Sequence, residues 1–65
     1  MDTNILKQKI NVLKSNVSDK DLAIVNKLEK ACNTMLQNSI TVNKAIIYSN
    51  IHIRLNLLLV EYNLI

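Results

Sequence analysis

The sequence predicts an all-α fold, and three observations in its 65 residues predict it. Glycine and proline are both absent, so the residues that punctuate most tight turns are missing and the chain reverses rarely. Apolar residues recur at spacings of three and four along most of the length, which is the period of an amphipathic helix. A helix-start pattern, Ser18-Asp19-Lys20-Asp21, stands a quarter of the way along. The predicted architecture is a short helix plus a long helix in an open helical hairpin, with a coiled-coil-like seam completed by partner chains.

The first helix is predicted from about residue 4 to 15. Leu6, Ile10, Leu13 and Val17 fall on one stripe, while Lys7, Lys9, Asn11 and Lys14 lie largely off it. Asp2 or Thr3 can cap its start, and Lys14 suits the negative end of its dipole. A corner follows at 16–18. There Ser18 is the predicted N-cap, with Asp21 three residues on, in the manner of a capping box whose acid is one methylene shorter than the usual Glu. Val17 and Leu22 have the spacing of a hydrophobic staple, and Asp19 and Asp21 complement the dipole.

No Gly or Pro interrupts the remainder, so a long helix is predicted over about 19–60. Val25, Leu28, Cys32, Met35, Val42, Ile46, Ile53 and Val60 form one heptad-like seam, with Ser39, Ser49 and Asn56 at its polar positions. Leu36, Ile40, Ile47, Ile51, Leu55 and Leu58 form a second stripe beside it. Two features compete with one continuous helix. Asn38-Ser39 is a natural breaking point, and the β-branched content with the alternation of Ile51–Leu57 leaves a strand as the rival reading for residues 45–60.

Charge indicates which face meets a partner. Lys44 is the one charged residue between Cys32 and Ile53, and interface cores are depleted of charge. A helix of three turns is too short to cover that segment. The predicted partner interface is Leu28, Cys32, Met35, Leu36, Val42, Ile46, Ile47 and Ile53. Size points the same way: a chain this short buries about 60% of the surface its unfolded form exposes, and such proteins lean on disulfides, metals or partners. Cys32 is the lone cysteine and His52 the lone histidine, so neither an internal disulfide nor a zinc-ligand spacing is available.

Other functions find little support. Cys32 and His52 lie about 30 Å apart on one continuous helix, too far for a Cys–His pair, so no enzyme is expected and no cofactor, catalytic residue or metal site is assigned. The net charge of +3 and the lysines of the first half read as a solvated basic face. With one Arg and no aromatic platform for bases, nucleic acid is not an expected partner. No apolar run approaches the 18 residues or so of a membrane span, and Met1-Asp2-Thr3-Asn4 does not open a secretory signal, so an intracellular setting (cytoplasm or nucleus) is expected.

Leu13-Lys14-Ser15-Asn16-Val17-Ser18 at the corner and Ala45-Ile46-Ile47-Tyr48-Ser49-Asn50 beyond it resemble the small helical-hairpin subunits of the fungal DASH complex, over residues 10–55. The resemblance implies a structural subunit of a hetero-oligomeric kinetochore complex that assembles on microtubules. Two other readings remain open. One is a small viral or phage-type regulator whose amphipathic helix fills a groove on its target, and the other is a homo-oligomeric coiled coil. At the level of stability, Ser18→Ala is expected to cost on the order of 1 kcal/mol in chemical denaturation, as loss of an N-cap does.

Overall fold

The computed structural model describes residues 3–37 and 44–65. It contains three helices: α1 over Thr3–Asn16, α2 over Asp19–Gln37 and α3 over Lys44–Glu61. All three pack against one another. Lys14 of α1 reaches Glu29 of α2, whereas Asp21 near the start of α2 meets Tyr62 just past the end of α3. Lys9 contacts Asn56, and Ser18 contacts Tyr62. The helices therefore run up, down and up, with α1 parallel to α3.

The long helix expected over 19–60 is thus two helices, and the open hairpin is a closed three-helix bundle. The expected all-α class holds, and α3 runs antiparallel to α2 and packs against both α1 and α2. The expected break at Asn38-Ser39, the stripe residue Ile40 and the interface residue Val42 lie outside the described residues. The strand reading for 45–60 is overturned, since Lys44–Glu61 is helical.

Magnitudes explain why two helices win. Asn, Ser, Thr, Ile and Val make up all of residues 38–43, and each gives up roughly 0.5 kcal/mol of helix propensity relative to Ala. A helix carried through those residues would have little propensity in its favour. Folding α3 back buries Ile51, Leu55, Leu58 and Leu59, each worth roughly 1.5–3 kcal/mol when removed from water. Burial outweighs helix continuity.

The core joins Leu6, Ile10 and Leu13 of α1, Val25, Leu28 and Cys32 of α2, and Ile51, Leu55, Leu58 and Leu59 of α3. Val17, Tyr48, Tyr62 and Leu64 pack against its margins. Among the described residues no polar or charged side chain is buried, so this core sets no electrostatic cost against its apolar gain.

The helix ends are finished without glycine. At the end of α1 the Val17 N–H donates to the Leu13 carbonyl at 2.9 Å, and the Asn16 side-chain amide donates to the Val12 carbonyl at 2.7 Å. α3 closes in a Schellman motif: Leu64 N–H donates to Leu59 O at 2.8 Å and Asn63 N–H to Val60 O at 3.0 Å. Asn63 carries the left-handed turn with φ 57°, a conformation that asparagine tolerates better than most non-glycine residues. Leu64 then packs against the core, as an apolar residue at this position of the motif commonly does.

Leu55 is fully buried and contributed by the helix that closes the bundle. Leu55→Ala is expected to cost about 2–5 kcal/mol, read as a fall in the urea midpoint at unchanged slope.

Candidate docking face

α3 is apolar on two opposite sides. Its inner side, Ile51, Leu55 and Leu58, is buried in the core. Ile46, Ile53, Leu57 and Val60, spaced by seven, four and three residues, share a stripe on the opposite side. They are 58%, 57%, 64% and 59% exposed, although aliphatic side chains normally sit at the buried end of the range. Ile46 and Val60 stand fourteen positions apart, or roughly 21 Å along the helix.

The edge of this stripe carries the polar groups. Asn50, Arg54 and Glu61 flank it on one side, Ser49 and Asn56 on the other. On the Arg54 side the surface falls into an open groove of about 340 Å³ between α2 and α3, lined by Lys27, Leu28, Ala31, Ile47, Ile51 and Arg54, together with Asn50. Its floor is apolar and its two charged lining residues are both cations. Among the described residues the one ion pair is Lys14–Glu29 at 2.6 Å, which leaves Lys27, Arg54 and Glu61 without a charged partner.

The expected interface residues divide sharply. Leu28, Cys32 and Met35 are buried within this chain, and Leu28 and Cys32 belong to its own core, so the faces they lie on are already occupied. Leu36, Ile46, Ile47 and Ile53 are exposed, and Val42 is outside the described residues. Leu57 and Val60 complete the outward stripe and lie outside the expected interface. The predicted seam includes Val60, yet Leu57 fits neither stripe of a continuous helix. The signal that finds it is the number of apolar residues around α3, which exceeds what one buried face can hold.

Two polar arrangements tie α3 to the rest. The expected cap forms, with the Asp21 N–H donating to Ser18 Oγ at 3.4 Å and the Leu22 N–H to the Ser18 carbonyl at 2.8 Å. The reciprocal arm of the box is different. Ser18 N–H donates to the Tyr62 hydroxyl at 3.2 Å, and that hydroxyl donates in turn to the Asp21 carboxylate. A Tyr62 oxygen thus fills the gap that the short aspartate leaves, and it comes from the far end of the chain. In the second arrangement Lys9 Nζ, at the α1–α3 seam, donates to Asn56 Oδ1 and to His52 Nε2, both at 2.6 Å. Tyr48 packs edge-on against the His52 ring with centroids 5.7 Å apart.

The groups with chemical potential do not converge. Cys32 is buried at the α1–α2 seam, where it lines a cavity of about 150 Å³ with Lys7, Asn11 and Glu29, while His52 faces Lys9 across the α1–α3 seam. Desolvation by burial pushes the Cys32 thiol above its ordinary pKa; Lys7 opposes the shift and Glu29 adds to it. A protonated, buried thiol is a poor nucleophile. Among the described residues no group of His, Cys, Asp and Glu is placed to hold a metal ion, and no helix is long and apolar enough to cross a membrane. No protein-family model, curated protein or solved structure matches the chain.

The Tyr62 hydroxyl is the one link between the α3 terminus and the α1–α2 corner that a conservative substitution can isolate. Tyr62→Phe is expected to lose about 1–2 kcal/mol of stability. Its effect and that of Ser18→Ala should be non-additive in a double-mutant cycle, because the two groups serve one cap.

Proposed function

We propose that this chain is a non-enzymatic assembly subunit, a small helical bundle that joins other protein chains by docking the outward face of α3. The observation that carries this reading is the stripe of Ile46, Ile53, Leu57 and Val60, more than half exposed on a helix whose opposite side already fills the core. A contiguous apolar strip with a polar margin on a small helical bundle is the signature of an interaction site. Its spacing of seven, four and three fits the knobs-into-holes packing of another helix.

Magnitudes favour a helix as the partner element. Covering the exposed half of four aliphatic side chains contributes roughly 3–6 kcal/mol before the cost of association. That cost is estimated at about 4–15 kcal/mol, so the stripe must meet a surface that adds comparable apolar area of its own. An amphipathic helix does so along the full 21 Å or so. The non-enzymatic part of the proposal is supported by the separation of Cys32 from His52 and by the burial of the thiol. The kinetochore role belongs to this same class of function; it rests on the sequence resemblance and draws nothing from the bundle, because the long helix on which it leaned is two helices.

A photo-crosslinking amino acid placed at Leu57 in cells tests the proposal. Adducts that join the chain to another polypeptide are expected at Leu57 and not at Lys20, an exposed position on α2 outside the stripe. If Leu57 yields no adduct above that control, the docking face is refuted.

A further inference from the structure

The docking face has an internal charge pattern that identifies one occupant. Arg54 and Glu61 stand seven residues apart on the same edge of the apolar stripe, are opposite in sign, and have no charged partner among the described residues. Two helices that pack face to face and antiparallel about a two-fold axis bring like edges together, whereas a parallel two-fold pair brings opposite edges together. In the antiparallel case residue 54 of one helix lies beside residue 61 of the other, and the reverse contact forms at the same time. An interface in which i meets j and j meets i is what two-fold symmetry requires. In the parallel arrangement, both charges would face the uncharged Ser49 and Asn56 edge.

We infer, within the docking function proposed above, that the occupant of the α3 face is a second copy of this chain, its α3 antiparallel to the first, with Arg54 of each copy paired to Glu61 of the other. That register places the two-fold axis beside Leu57, midway between the paired charges. Ile53, Leu57 and Val60 of the two copies then interleave across it. Lys27 lines the same groove as Arg54, so the incoming carboxylate enters a site with two cations and no competing acid. Charge of this kind at the margin of an apolar contact selects orientation and partner more than it sets affinity.

Charge exchange tests the register directly. Sedimentation equilibrium of the full chain is expected to show a monomer–dimer equilibrium that added salt weakens. Arg54→Glu alone places four acids around the axis and Glu61→Arg alone places four bases, so each is expected to weaken self-association about tenfold or more. An equimolar mixture of the two variants restores both pairs, and its dimerisation should return to the wild-type level. The double variant R54E/E61R should also dimerise. Both positions are exposed, and unchanged circular dichroism will show that each variant keeps its fold. A mixture that stays monomeric while both components are folded overturns the proposal, as does a single variant that dimerises like the wild type. A wild-type chain that remains monomeric at every concentration overturns it too, while a Leu57 cross-link to a different polypeptide would leave the docking function standing without the second copy.

Discussion

Burial of the inner face of α3 is the constraint on which this structure depends. Without Ile51, Leu55, Leu58 and Leu59, the α1–α2 pair would present Leu6, Ile10, Leu13, Val25 and Leu28 to water with only two short helices to shield them. Isolated helices of fourteen and nineteen residues are marginal in water, so their persistence is a consequence of packing rather than of propensity. α3 is apolar on two opposite sides, with polar residues along the edges between them. Its helical state is therefore stabilised by the surfaces it meets inside this chain.

The chain manages its turns by substitution of function. Where other proteins place glycine, this one uses Asn63 for the left-handed residue after α3, and it spans the α1–α2 corner with Val17 and Ser18 alone. The corner is narrow enough that its cap is shared with the other end of the molecule. Tyr62 is positioned by the Schellman turn that follows α3, and its hydroxyl then completes the cap that starts α2. Local structure at the two places is thereby coupled through one oxygen atom.

Much of this was legible in the residues. The stripe of Leu6, Ile10 and Leu13 and the cap at Ser18 are local features, decided by spacing within one or two turns, and the structure places them where that spacing implies. What periodicity could not supply was the change of phase. Val25, Leu28 and Cys32 are buried on one seam, but Ile51, Leu55 and Leu58 of α3 come from the neighbouring stripe, Leu59 from neither, and the first seam continues outward as Ile46, Ile53 and Val60. A continuous helix has no reason to exchange its buried stripe for another. The switch accompanies the antiparallel packing of α3 against α2. The docking face was half legible for the same reason: its Ile46 and Ile53 lay on the expected seam, whereas Leu28 and Cys32 on that seam are occupied inside the chain. Tyr62 and Lys9 were invisible because their contacts join residues more than forty positions apart.

The two apolar sides of α3 point in opposite directions, and this separates two kinds of inheritance. Substitutions at Ile51, Leu55 or Leu58 are judged by whether the domain folds, while under the proposed docking function those at Ile53, Leu57 or Val60 are judged by what the domain binds. Since Ile53, Leu57 and Val60 lie outside the buried core, a docking face there can be retuned one residue at a time without a detour through an unfolded ancestor. A helix with two apolar sides is in this respect two independently heritable surfaces on a single rod.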